Sequence, residues 1–377
     1  MHLTLSLSGY GFHPAGWRAS SLMRESQTLP QYEALVRQAE ESGLDAVLFL
    51  PPGGGPDYVL AGTTDAVQID TLPLLGTMVP RTERIGLGAS VSITQTEPFH
   101  TARAFAVLDN LSSGRTACIV DTRGSSHQAA DFGHRTLPSN TDESCARTAE
   151  YLEVAQKLWD SWEDDAVVAD KQNGLFADSN RIHPIHHTGR HFTVRGPLTA
   201  VRPIQGHPVL IMCDPTEGGL RLAASKADLF LAECQTLEDV LALRRGLSAL
   251  AIEYGRPDGE PRVLMNVMPV LGETTEAAEA RAAALDAIAD VESASATCAR
   301  FVGTGGDLAQ VMAAWHAKGV ADGFNILPAV LPDDVDYLIN DTLPALRNRG
   351  LFRSEYAQCT LRGHLALPRP ANRFALV

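Results

Sequence analysis

The sequence predicts an α/β fold, a single (β/α)8 TIM barrel with insertions. Three observations lead there. Short apolar runs recur along the 377 residues. Each is followed by loop-forming residues and then by a helix-period pattern. Continuous apolar strands mark a parallel sheet covered by helices on both faces. The length also suits one such barrel. A doubly wound open sheet or a two-domain chain would show similar alternation, and periodicity alone leaves them open. The reading adopted is one domain over 1–377, with a long insertion at about 166–206 and a tail at about 340–377.

The runs come in order. LTLSLS at 3–8 is first. DAVLFL at 45–50 is second and stops at Pro51-Pro52-Gly53-Gly54-Gly55. IGLGASVS at 85–92 and TACIVD at 116–121 follow, then PVLIMC at 208–213 and DLFLAE at 228–233. VLMNVMPV at 263–270 and DGFNIL at 322–327 complete eight. Helical patterns fill the gaps. The segment from Leu29 places Leu29, Tyr32, Leu35, Val36 and Ala39 on one face and stops at Gly43. The segment from Pro98 opens on a proline, whose missing N–H costs nothing in a first turn, and closes at Gly114. RTAEYLEVAQKLWDSW, GGLRLAASKA, LEDVLALRRGLSALAIEYG and TEAAEARAAALDAIADV are also helix-like. Residues 166–206 have no period and are rich in His, Asp, Asn, Gly and Pro. Loops of that length are usually lids or binding elements.

A net charge of −14 argues against a nucleic-acid partner, which would need a basic face. The six cysteines are scattered without a CxxC pair, so neither a zinc ribbon nor a redox dithiol is signalled. Free thiols in a reducing cytoplasm are the expectation. The N-terminal segment reads as a first strand and not a signal peptide, and no run has the length to span a membrane.

Barrel chemistry sits on the loops after the strands. His13, Trp17 and Arg18 follow the first run and are candidate catalytic or substrate-contacting residues. Loop packing, with Arg18 in a surface ion pair, is the alternative. His127, beyond Thr122-Arg123-Gly124-Ser125-Ser126, is a candidate polar contact. His100, in a helix first turn, reads as structural. His183, His186 and His187 lack the converging ligands of a metal site, and no metal is expected. Gly303-Thr304-Gly305-Gly306-Asp307 lacks the P-loop lysine, and Thr304 there is an N-cap candidate.

Several segments resemble one family. EPFHTARAFAVLDNLSSGRTACIVDT, GFHPAGWR, LWDSWEDDAVVADKQNGLFAD, GRHFTVRGPLTAVRPIQGHPVLIMC and the tail from DGFNILPAVLPDD to LRGHLALPRPANRF together resemble the bacterial-luciferase-like flavin monooxygenases. The likeness is to the branch with nitrilotriacetate and dibenzothiophene-sulfone monooxygenases. It implies a TIM barrel, reduced FMN from a separate reductase, O2 and a small-molecule substrate. It also implies a homo-oligomer, or a heteromer with a paralogous chain. Carried over by position, the flavin phosphate falls to Thr216, Glu217, Gly218 and Gly219 with Cys145 nearby, and the ring to Ser92 and Thr122.

The chain departs from the family at these places. Pro51 stands for an Asp, and Ser92-Ile93 for Ser-Thr. Ile119-Val120-Asp121-Thr122-Arg123 stands for Asn-x-Val-Thr-Ser, and Cys145 for a Tyr. MCDPTEGG at 212–219 stands for QAG-x-S…G. A phosphate wants N–H groups, hydroxyls and a helix N-terminus. Pro215 lacks the N–H, Asp214 sets an anion beside an anion, and Ile119 cannot hydrogen-bond a flavin edge. Each unpaired polar contact costs about 1–3 kcal/mol. Two outcomes stay open: a drifted flavin site, or a flavin-free member that is a partner subunit or an enzyme with another reaction.

Overall fold

The computed structural model describes residues 1–22, 28–50, 69–93, 96–121, 141–256, 259–289 and 298–374. Its strands are β1 (His2–Leu7), β2 (Ala46–Phe49), β3 (Gly86–Ser92) and β4 (Thr116–Asp121). Two small hairpins follow, β5 (Val167–Asp170) with β6 (Leu175–Ala177) and β7 (His187–Thr188) with β8 (Thr193–Val194). Then come β9 (Val209–Met212), β10 (Leu229–Ala232), β11 (Arg262–Leu271), β12 (Ala299–Gly303) and β13 (Gly323–Ile326). Eight of them close a parallel ring in the order β1-β2-β3-β4-β9-β10-β11-β13 and back to β1. These are the eight apolar runs of the sequence, and the TIM barrel is present.

A ninth parallel strand was not expected. β11 is ten residues long; it pairs with β10 along one edge and serves two neighbours in turn along the other. Its first half pairs with β13, from Leu264↔Gly323 to Val267↔Ile326, and its second half pairs with β12, from Val267↔Ala299 to Leu271↔Gly303. Helix Gly305–Ala317 then starts at Thr304 in a capping box with Asp307, as its sequence suggested.

Alternation along the strands makes two cores. Leu3, Leu5, Leu7, Val47, Phe49 and Val120 pack outward among helices. Ala46, Leu48, Ala117, Ile119, Val209, Ile211, Leu229, Leu231 and Leu264 fill the lumen. Leu361 and Leu365 belong to this inner cluster, so the short helix Leu361–His364 plugs the N-terminal floor of the barrel. Gly86 on β3 makes room, since a Cβ there would lie 2.5 Å from Leu361 Cδ1. Fully burying one such leucine contributes about 1.5–3 kcal/mol.

Polar groups stitch the floor. Buried Arg362 donates to both carboxylate oxygens of Asp228 (2.9 and 2.6 Å), to the His207 carbonyl (2.9 Å) and to the Pro368 carbonyl (3.1 Å). Gln205 accepts from the Arg362 N–H (2.8 Å) and donates to Asp109 (2.7 Å). Burial pushes the Asp109 carboxyl up, against the hydrogen bonds from Gln205 and Thr116.

The tail is also tied to the insertion. Asp164 accepts from Arg369 (2.6 and 2.9 Å) and Arg202 (3.1 Å), and Asn372 donates to the Asp160 and Trp162 carbonyls (3.0 and 2.9 Å). The Arg369 guanidinium, opposed by burial and helped by Arg202, holds the Asp164 carboxyl down at about 2, from an ordinary 3.8. A carboxyl depressed on folding stabilises above its unfolded value and loses that contribution as pH falls through the folded one. The protection of amides over residues 369–374, relative to their intrinsic exchange rates, should therefore fall below about pH 4. Asp164→Asn should show the lower protection already at neutral pH. Equal exchange in the two proteins at neutral pH would remove Asp164 as the anchor.

Candidate functional site

All ring strands run the same way, so their C-terminal ends open at one mouth. Ser92 ends β3 and Thr216 lies four residues beyond the end of β9, which puts both at that mouth. Thr122 and His127 lie outside the described residues. Below the mouth the lumen is polar on one arc. Thr4 and Ser6 donate to Asn325 Oδ1 (2.8 and 3.1 Å), and Asn325 Nδ2 donates to Asn266 Oδ1 (2.9 Å). The opposite arc, with Ile119, Ile211 and Leu231, is apolar.

The turn after β9 leads into helix Glu217–Lys226. Thr216 is its N-cap, and its Oγ1 accepts from the Gly219 N–H (3.1 Å). Asp214, only 6% exposed, accepts from the Thr216 N–H (2.9 Å). The same carboxylate lies against Gly219, where a Cβ would stand 2.4 Å from Asp214 Cγ. Cys145 comes from the first turns of helix Thr141–Trp159 and covers the adjacent glycine, where a Cβ would stand 2.6 Å from its Sγ. Thus Cys145, Thr216, Gly218 and Gly219 form one cluster, with Glu217 exposed at its rim and paired to Arg221 (3.1 Å).

His13, Trp17 and Arg18 sit on the loop after β1. β1 and β9 are four places apart in a ring of eight, so this loop faces the Thr216 cluster across the mouth. The loop is clamped to the chain after β13: the Phe12 N–H donates to the Pro328 carbonyl (2.8 Å) and the His13 N–H to the Ala329 carbonyl (3.1 Å). Gly11, at φ 121°, permits this, because a Cβ would meet the Ala329 carbonyl oxygen. Buried His13 accepts at Nδ1 from the Ala15 N–H (3.1 Å), which places its proton on Nε2, 3.2 Å from Asp286 Oδ1. Arg300, opposed by burial and helped by His13, holds the Asp286 carboxyl below its ordinary value. Arg18 donates to the Ile288 carbonyl (2.9 Å), and among the described residues it forms no ion pair. Trp17 is 51% exposed.

Sequence reasoning gave Tyr151 no role, yet it braces the mouth. Its hydroxyl bonds Thr96 Oγ1 (2.8 Å) and Thr101 Oγ1 (2.5 Å), and Thr96 donates to the Ser92 carbonyl (3.0 Å). Burial pushes the phenol far up, so it stays a neutral donor. Glu150, one residue earlier, accepts from the His191 and Phe192 N–H groups and from His187, pinning the insertion to helix Thr141–Trp159. Burial raises its carboxyl, but these bonds outweigh burial and leave it lowered. No local spacing signals either role, since the partners lie 37 to 55 positions away. Among the described residues no three His, Cys, Asp or Glu side chains converge as a metal site, and His183 pairs with Glu163 (2.7 Å) and stacks on Phe374.

The family model for luciferase-like monooxygenases matches residues 12–333. N-acetyl-S-(2-succino)cysteine monooxygenase of Bacillus subtilis (strain 168) is 31% identical, over 99% of this chain and 98% of its own. Nitrilotriacetate monooxygenase component A of Aminobacter aminovorans is 31% identical, over 97% and 96%. Among solved structures, EDTA monooxygenase from Chelativorans sp. BNC1 superposes with a TM-score of 0.86 at 24% identity, over 98% of each chain.

Proposed function

The chain belongs to the luciferase-like monooxygenase family, and we propose that it is a flavin-dependent monooxygenase of the two-component kind. It takes reduced FMN from a separate reductase, with O2 and a small organic substrate. The observation that carries this reading is a family match over residues 12–333, on a closed barrel whose strands all end at one mouth. The reduced flavin supplies the electrons for oxygen activation. The chain's own residues supply shape and shielding. Ile119, Ile211 and Leu231 give an apolar arc that keeps water out, and the Thr4–Ser6–Asn325–Asn266 chain fixes a polar arc opposite. Ser92, braced through Thr96 and Tyr151, is the residue assigned to the ring side.

The fit is uneven. The apolar side chains that fill the lumen below the mouth and Ser92 at the end of β3 are compatible with a flavin ring above them, while the Thr216 turn presents the Asp214 carboxylate where a phosphate is expected. That carboxylate favours the second reading, a flavin-free member of the family. Mixing the chain and dithionite-reduced FMN with aerated buffer separates the two. Reoxidation of the flavin should be slower with excess chain than for free FMN, because bound flavin is shielded. A rate equal to that of free FMN at every chain concentration would leave the flavin-free reading standing.

A further inference from the structure

We propose that Asp214 stands where the phosphate of a bound flavin would stand, so that this site takes a flavin by its ring and side chain and does not select the phosphorylated form. The inference rests on the flavin reading above. It begins with the helix Glu217–Lys226, whose N-terminal N–H groups and dipole favour an anion. In this chain the anion is built in. The Asp214 carboxylate takes the Thr216 N–H at 2.9 Å, and Thr216 Oγ1 takes the Gly219 N–H at 3.1 Å. Pro215 has no N–H to offer.

Space points the same way as charge. Glycines at a helix start let a ligand approach the backbone closely. Here both close approaches are made by the chain's own atoms: Asp214 lies on Gly219, and the Cys145 thiol lies on Gly218. Asp214 is buried, so water screens it poorly from a neighbouring dianion. Glu217 adds a further carboxylate at the rim, partly offset by Arg221. A phosphate would have to displace a satisfied carboxylate and then sit beside it. A flavin without phosphate meets neither cost.

The test is calorimetric titration of the chain with FMN and with riboflavin, each oxidised and, anaerobically, reduced. The expected result is that the two dissociation constants agree within about threefold. Asp214→Asn keeps the shape and the acceptor for the Thr216 N–H but removes the charge, and Asp214→Gly also opens the space. Each should shift the ratio toward FMN by about tenfold or more, with riboflavin affinity nearly unchanged. Wild-type preference for FMN by about tenfold would overturn the inference and leave the flavin reading intact. A ratio unmoved in both variants would also overturn it. Binding of neither flavin, in any variant, would overturn the flavin reading and this inference with it.

Discussion

Arg362→Met should lower the unfolding free energy by about 3–5 kcal/mol, the cost of leaving one partner of a buried ion pair alone. Arg362 is 4% exposed, and its guanidinium holds Asp228 through two bonds while also closing on the His207 and Pro368 carbonyls. Methionine keeps much of the stem's packing, so the loss measures charge and hydrogen bonds. Asp228 still accepts from the Leu210 N–H (2.9 Å), which does not neutralise it. Adding Asp228→Asn should restore part of the loss, because no uncompensated charge then remains. Urea unfolding of the three proteins reads this directly. A loss under about 1 kcal/mol would mean that the pair behaves like an ordinary surface bridge.

Gly323→Ala should be nearly as damaging, by a different route. Gly323 faces His2 where β13 meets β1, and a Cβ there would lie 1.9 Å from the His2 carbonyl oxygen and 2.6 Å from its carbon. Both obstacles are backbone, so no rotamer change relieves the clash and the two strands must part. The expected loss is at the upper end of overpacking, about 3 kcal/mol. Gly218→Ala meets only the Cys145 thiol, the mobile end of a side chain, and should cost clearly less. Thermal melts of the two variants give the comparison, and equal losses would contradict it.

The ring strands were legible in the sequence because strands buried on both faces leave unbroken apolar runs. β12 was not legible. It is five residues, ARFVG, with exposed Arg300 in its midst and Gly303 at its end, and so it reads as a turn. The floor plug escaped notice because Leu361 and Leu365 lie in a Pro- and Arg-rich tail with no sustained period. At the mouth, sequence placed Thr216 as a helix start and paired Cys145 with the 216–219 turn only through family resemblance. That Asp214 folds back onto Thr216 and Gly219 is local turn chemistry of the Asp-Pro-Thr start, whereas His13 meeting a carboxylate 273 positions away is a product of barrel closure, which no local pattern encodes.

The floor plug also sets a timetable. Asp45 is held by Arg353 across 308 positions, and the Ser42 carbonyl by Arg347 across 305. On a ribosome, strands β1 to β11 emerge long before the segment that seals their lower ends. A nascent chain that has reached residue 340 has an open lumen and an Asp228 without its arginine. Contacts so distant in sequence form slowly, and exposed strand ends invite association with other chains meanwhile. Commitment to the native state is thereby deferred until residues 347–372 have emerged, and a chaperone that shelters the half-made barrel until then should raise the yield of folded protein more than one acting later.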